Sequence, residues 1–271
     1  VCAILLAPFF YRFIPATSAD LVRQAANANT AKMVVTALLV LPFAPLYARI
    51  VVWLTPSQRE PVAPSYLDDD LVKMPEQAIY ATLRELQRVG EICVESFRLN
   101  AEFMLNHKLG ILRRIKISEK SIDRIKMAMK DYVTAITSRY ISKRQAMLLQ
   151  HVDRCMSDIE RIGDHVEKLG DITRRRDRYP TALFSREVLE YWYKLHNAAE
   201  RVLVLGVKSL DPDCEDFNAV GEEVLEARDA YAKVSKDAKK KLFDLMKTHE
   251  ITPMAGVFFR EYLSVFDRMV K

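Results

Sequence analysis

The sequence predicts an all-α protein, in which a transmembrane helix remnant is followed by two tandem three-helix bundles. Three observations support this fold class. The chain of 271 residues holds only 7 Gly and 11 Pro and is rich in strong helix formers. Apolar residues recur with alternating spacings of four and three, which places them on one face of a helix. No stretch shows the alternation that is typical of a half-buried strand.

Residues 1–56 are predicted to be the C-terminal end of a membrane domain. The run from Met33 to Leu54 carries Arg49 as its single charge. At about 1.5 Å per residue, such a helix extends about 33 Å and could cross a hydrocarbon core about 30 Å thick. The alternative is a buried helix of a soluble protein, but the run has no polar face to present to water. The apolar opening run, VCAILLAPFFYRFI, is too short to span alone and is expected to end a span that begins upstream.

Composition changes sharply after the apolar run. Residues 57–74 are predicted to be an extended linker, because prolines and three consecutive aspartates interrupt the pattern. Pro75 suits the first turn of the next helix. Residues 75–178 and 181–271 each show three helical stretches, with the second set ending at Lys271. The sequence therefore predicts an internal repeat of about 100 residues, with a second copy that is expected to be truncated.

The third helix of the first repeat combines an apolar seam with a row of carboxylates. The seam is predicted at Leu148, Val152, Cys155, Ile159, Ile162, Val166 and Leu169. Beside it, the carboxylates share one line along the helix, because their spacings are 7, 4, 3 and 4 residues. Like charges at such spacings repel by a few tenths of a kcal/mol per pair. Something cationic should therefore face this row, which consists of Asp153, Glu160, Asp164, Glu167 and Asp171.

Two kinds of cation could neutralise the row. Basic side chains of the same helix are one, since Lys168 follows Asp164 by four residues. A metal ion is the other, because carboxylates on facing helices form the hard oxygen sites that hold Mg, Mn or Fe in bundles. Glu119 and Asp123 show the same spacing on the preceding helix. The candidate metal ligands are therefore Glu160, Asp164, Glu119, Asp123 and Glu167.

Gly163 and His165 lie within the same row. A glycine inside a helix costs about 1 kcal/mol, so Gly163 indicates close approach by a neighbour or a ligand. His165 could be a metal ligand, although a single exposed histidine on a helix usually has no such role.

Several classes of function are disfavoured by the composition. The chain has 41 Lys and Arg against 36 Asp and Glu, with most of the excess before residue 61, so nucleic acid is not an expected partner. Neither GxGxxG nor GxxxxGK[ST] occurs, and no ExxH pair suggests a di-iron bundle enzyme. The four cysteines lack metal-site spacing and are expected to be free thiols. We expect no catalysis, and the sequence does not identify which residues would bind a substrate.

The segment SDIERIGDHVEKLGD, residues 157–171, resembles the motif helix of PhoU proteins. That family carries an E(D)xxxD motif on each of two three-helix repeats, which agrees with the repeat described above. Glu160 and Asp164 match the first motif, and Glu119 and Asp123 form an additional acidic pair. The second motif should lie in FREYLSVFDRMVK, where Asp267 matches its start but Lys271 replaces the closing Asp. The resemblance implies PhoU-like tandem bundles with metal clusters of Fe, Zn, Mn or Mg.

A PhoU-like domain behind membrane spans resembles the C-terminal part of the sodium/phosphate cotransporter family. Residues 23–43, RQAANANTAKMVVTALLVLPF, are similar to its last membrane segment, although residues 29–33 depart from the family pattern. The Gln-Ser-Ser motifs of the transport core are absent from this chain. The resemblance implies a cytoplasmic regulatory domain on the inner membrane, a homodimer, and an upstream transport domain for sodium and phosphate. The alternatives are a soluble PhoU-type regulator and a ligand-free dimerisation bundle.

Overall fold

The computed structural model describes residues 12–43 and 61–271, and the chain divides into two units, Val1–Gln58 and Arg59–Lys271. In the first unit, helix α1 spans Leu21–Val40, and Asp20 caps it by accepting a hydrogen bond from the Val22 amide. Short 3₁₀ turns, Ile14–Thr17 and Leu41–Phe43, flank this helix.

The predicted membrane span is only partly covered by α1. Residues 33–40 are helical, whereas residues 44–60 and the opening run up to residue 11 lie outside the described residues. In the ranges 12–43 and 61–271, no helix has both the length and the apolar character needed to cross a membrane. The transmembrane part of the predicted fold class is therefore not supported by the described residues.

The second unit, called the helical domain below, consists of six long helices. They are α2 (Pro75–Asn106), α3 (Leu109–Thr137), α4 (Lys143–Arg176), α5 (Arg186–Lys208), α6 (Phe217–Lys247) and α7 (Pro253–Val270). The described residues contain no strand, so the all-α prediction is confirmed for them.

Local sequence explains where these helices begin and end. Pro75 occupies the first turn of α2, as predicted, because its missing N–H has no intrahelical partner there. Ser142 and Gln145 form a reciprocal capping box at the start of α4. His107 ends α2 in the left-handed conformation with φ of 52°, a position that glycine often occupies.

The helices form two triplets, α2–α3–α4 and α5–α6–α7, which pack on each other through α4 with α7 and α2 with α5. One hydrophobic core runs through both triplets, and its largest fully buried side chains include Trp192, Phe97, Tyr262 and Phe266. The triplets therefore share this core, and a smaller cluster that includes Ile79, Ile136 and Leu149 lies within the first triplet.

The α4 seam lies one residue away from its predicted position at several points. Leu149 is 1% exposed, whereas Leu148 is 39% exposed. Val152, Ile159, Val166 and Leu169 are buried as predicted, and Gly163 joins the same buried face.

The end of the predicted linker packs against the helical domain. Asp69–Lys73 forms a 3₁₀ turn, and Val72 within it is buried. The amides of Ser65 and Tyr66 donate hydrogen bonds of 2.8 Å and 2.7 Å to one carboxylate oxygen of Glu85 on α2. Glu85 is fully buried, so the segment from residue 61 to 74 is held by a specific polar contact.

Candidate functional site

The candidate metal ligands lie on the facing sides of α3 and α4. We call six side chains of this surface the carboxylate ladder: Glu119 and Asp123 of α3 and Glu160, Asp164, Glu167 and Asp171 of α4. Ion pairs from α3 lysines to Glu160 and Glu167 of α4 show that the two rows of carboxylates lie along the contact between these helices. The structure therefore brings together the residues that the sequence predicted on separate helices.

Two lysines of α3 neutralise the ends of the carboxylate ladder. Lys126 Nζ lies 3.1 Å from Glu160 Oε1 at one end. At the other end, Lys116 Nζ lies 2.9 Å from Glu167 Oε1 and 3.2 Å from Asp171 Oδ1. The acidic row thus finds its cations across the helix interface, and not among the basic side chains of α4 that the sequence suggested.

The centre of the ladder has a different electrostatic character. Burial raises the pKa of Glu119 to about 7, and the negative charges of Asp123 and Glu167 act in the same direction. Burial, followed by the charges of Glu160 and Asp123, also raises the pKa of Asp164. These carboxyl groups therefore repel one another and hold protons more readily than ordinary surface acids.

Gly163 is explained by helix packing. A Cβ atom at this position would lie 3.1 Å from Ile122 Cδ1 of α3, which is tighter than ordinary van der Waals contact. Gly170, seven residues later, faces Leu112 in the same way at 2.8 Å. The two glycines let α3 and α4 approach closely along the ladder, so the close neighbour expected at Gly163 is a helix.

The residue types of the ladder suit a metal ion, but their arrangement does not form a metal centre. Carboxylate oxygens are the ligands that Mg²⁺, Mn²⁺ and iron prefer in helical bundles. In residues 12–43 and 61–271, however, no three His, Cys, Asp or Glu side chains are arranged as a metal centre. Metal binding here would require the carboxylates to move and the lysines to release them.

His165 does not join the carboxylates as a clear ligand. Its pKa is lowered, first by burial and then by the positive charge of Arg268 on α7. Burial and nearby positive charge, including one from the second triplet, therefore disfavour the protonated form of His165.

The counterpart of the first motif, in the second triplet, is an internally paired carboxylate. Asp267 accepts hydrogen bonds from Tyr231 at 2.9 Å, Ser235 at 2.7 Å and Lys239 at 2.6 Å. Burial alone would raise the pKa of Asp267, but these donors hold the pKa below its ordinary value. The second motif therefore has Lys271 in place of its closing Asp, and the carboxylate oxygens of Asp267 at its start are already hydrogen-bonded within the protein.

The lysines that complete the ladder were not among the predicted site residues, although the sequence of α3 carries a signal for them. Lys116, Glu119, Asp123 and Lys126 follow one another at spacings of 3, 4 and 3 residues, which marks one charged line on α3. Glu85 was also missed. A single glutamate inside a helical pattern gives no sign that a distant segment will bind it.

Comparison with known proteins shows that part of the chain is similar to a PhoU homolog. The chain is 26% identical to the phosphate-specific transport system accessory protein PhoU homolog of Synechocystis sp. (strain ATCC 27184 / PCC 6803 / Kazusa). The similarity extends over 162 residues, which is 59% of this chain and 71% of that protein. The similarity supports a PhoU-like domain. No protein-family model matches the chain, and no solved structure gives a significant match.

A PhoU-like domain agrees with the two helical triplets and with the carboxylate pair on α4. Relationship to the sodium/phosphate cotransporter family, expected from residues 23–43, is not shown by this similarity.

Proposed function

We propose that the helical domain regulates phosphate transport as the PhoU-like part of a sodium-dependent phosphate transporter. The observation that carries this proposal is the similarity to a PhoU homolog that is named as an accessory protein of phosphate-specific transport. The packing of two helical triplets on one core supports a regulatory domain, because a change in one triplet reaches the other through shared contacts.

Phosphate uptake tests this role directly. Cells producing the complete protein should take up radiolabelled phosphate differently at high and low external phosphate. A Glu119→Gln/Asp164→Asn variant should lose part of this dependence, because it changes the centre of the carboxylate ladder. Asp153→Asn is the matched control, since Asp153 is an exposed acid on the same helix. Identical uptake in cells with and without the protein would contradict the proposal.

Attachment to the inner membrane, with the helical domain in the cytoplasm, belongs to the same proposal. The apolar run from Met33 to Leu54 supports attachment. Membranes washed with high salt and then with alkaline carbonate should retain the protein. Release by salt alone would favour the alternative, a soluble PhoU-type regulator.

We also propose that the carboxylate ladder binds a divalent or ferric ion. The shared negative charge around Glu119 and Asp164 supports this, because a cation would relieve their repulsion. Lys126 competes with the ion for Glu160, so Lys126→Met should increase metal affinity while Glu119→Gln/Asp164→Asn decreases it. Titration calorimetry with Mn²⁺ and Zn²⁺, together with metal analysis of the purified chain, measures both effects.

A ligand-free dimerisation bundle is the second candidate. The ion pairs of Lys116 and Lys126 favour it, since they satisfy both ends of the ladder without a metal. Equal, near-zero metal content in the parent chain and in the Glu119→Gln/Asp164→Asn variant would support this candidate. Sedimentation analysis then determines whether the chain forms the proposed homodimer.

A further inference from the structure

The charged side chains of α7 divide into a paired and an unpaired set. Its two acids both form ion pairs with neighbouring helices: Glu261 lies 2.5 Å from an α4 arginine, and Asp267 lies 2.6 Å from an α6 lysine. Among the described residues, no acidic side chain forms an ion pair with Arg260 or Arg268, and both are exposed. The outer face of α7 therefore carries two uncompensated positive charges.

These arginines stand on the same side of the helix with a hydroxyl group between them. Arg260, Ser264 and Arg268 follow at intervals of four residues, so they form one line about 12 Å long. Ser264 is exposed at the middle of this line. Two long arginine side chains can therefore converge on an anion beside the Ser264 hydroxyl. Guanidinium groups bind phosphate oxygens in a bidentate manner, which gives this arrangement its chemical preference.

The line of arginines borders a groove between α6 and α7 with a volume of about 460 Å³. Apolar side chains form part of its lining: Leu242, Phe243, Met246 and Leu263. Phe243 is 67% exposed, so most of its ring is available to a ligand. The volume lies within the range of about 300–1,000 Å³ that is typical of small-molecule sites.

The carboxylate in the groove does not cancel the positive charge of the arginines. Asp267 is already bonded to Tyr231, Ser235 and Lys239. The α6/α7 groove is thus a positively charged surface beside an apolar one.

We propose that the α6/α7 groove binds a small phosphomonoester. Its phosphate contacts Arg260, Arg268 and the Ser264 hydroxyl, and its apolar or aromatic part lies on Phe243 and Met246. The apolar lining and the limited volume favour a small molecule over an acidic protein segment. This site lies in the second triplet, is separate from the carboxylate ladder, and does not depend on the proposed role in transport.

Titration calorimetry of the 271-residue chain tests the site with AMP, inorganic phosphate and adenosine. AMP should bind with a Kd of about 1 mM or tighter, whereas adenosine should not bind. Arg260→Gln/Arg268→Gln should weaken AMP binding at least about tenfold, since it removes both charge-assisted contacts. The control is Arg113→Gln/Arg144→Gln, which removes two exposed arginines from the first triplet and should leave AMP binding unchanged.

Phe243→Ala separates the two halves of the proposed site. It should weaken AMP binding while leaving inorganic phosphate binding unchanged. If phosphate and AMP bind equally and Phe243→Ala weakens neither, the ligand is inorganic phosphate. That result would support the arginine part of the site and overturn the apolar part. Three results would each overturn the proposal. Neither AMP nor phosphate binds, or the two double variants bind AMP equally, or an acidic peptide binds and AMP does not.

Discussion

The ammonium group of Lys126 lies 3.1 Å from a carboxylate oxygen of Glu160 and joins α3 to α4 at one end of the carboxylate ladder. Lys116 does the same at the other end. Between these pairs, Glu119 and Asp164 retain raised pKa values, because burial and neighbouring carboxylates disfavour their charged forms. The ladder therefore combines paired ends with a repulsive centre.

The repulsive centre predicts that stability declines as pH rises through 7. The pKa of Glu119 is about 7 in the folded chain, against 4.5 for an ordinary glutamate. Between these values the folded state holds a proton that the unfolded state has lost, so this contribution is complete below pH 4.5 and is lost as pH rises through 7. Glu119→Gln should therefore stabilise the chain at pH 8 by about 1 kcal/mol, after allowance for solvent screening.

Urea unfolding at pH 5.5 and pH 8 measures this effect. Asp153→Asn is the control, because Asp153 is exposed and lies outside the ladder. A Glu119→Gln variant with the same pH dependence as the parent chain would show that Glu119 titrates normally.

Close packing of α3 against α4 predicts that Gly170→Ala destabilises the domain. The new methyl group would lie 2.8 Å from Leu112 Cδ1, and Leu112 is itself buried. Overpacking costs about 1–3 kcal/mol, which outweighs a gain of about 1 kcal/mol in helix propensity. Gly221→Ala provides the comparison, because its Cβ would meet open space in α6, and should stabilise by about 0.5–1 kcal/mol. Thermal unfolding of both variants measures these changes in stability. Stabilisation by Gly170→Ala would disprove the tight contact.

The buried Glu85 predicts that its loss frees the segment before α2. Glu85→Ala should cost about 3–5 kcal/mol, because Arg88 loses its partner and two backbone amides lose their acceptor. Hydrogen exchange at the amides of Ser65 and Tyr66 should accelerate in this variant. Glu91→Ala, on the exposed side of the same helix, should change neither quantity. Unchanged exchange at Ser65 and Tyr66 would mean that other contacts hold the segment.

The hydrogen bonds of Asp267 predict acid sensitivity in the second triplet. Its pKa lies below the ordinary aspartate value of 3.8, so its stabilising contribution is present above that value and is lost as pH falls through the folded pKa. Asp267→Asn should therefore destabilise the chain at pH 7 and reduce its loss of stability between pH 5 and pH 3. Asp237→Asn, an exposed α6 substitution, is the control for unfolding measurements in this range. A parent chain and Asp267→Asn variant with parallel acid profiles would contradict this prediction.

Periodicity predicted the helices well wherever apolar spacing was regular. The α3 positions Ile122, Ile125, Met129, Tyr132 and Ile136 are all buried, and their spacings of 3, 4, 3 and 4 residues are typical of one helix face. In α4, the buried line passes through Leu149 and Gly163 instead of Leu148 and Ile162. A glycine adds little to an apolar pattern, so only the close approach of Ile122 reveals that Gly163 belongs to the interface.

The sequence by itself determined the all-α class, the two sets of three helices and the acidic row on α4, because helix periodicity and capping act over a few residues. Only the tertiary structure decided which charges meet. The partners in Lys126–Glu160 and Lys239–Asp267 are far apart in the chain, and their distances depend on how whole helices pack. The same packing left Arg260 and Arg268 without acidic partners among the described residues, because it directed both acids of α7 to cations on other helices.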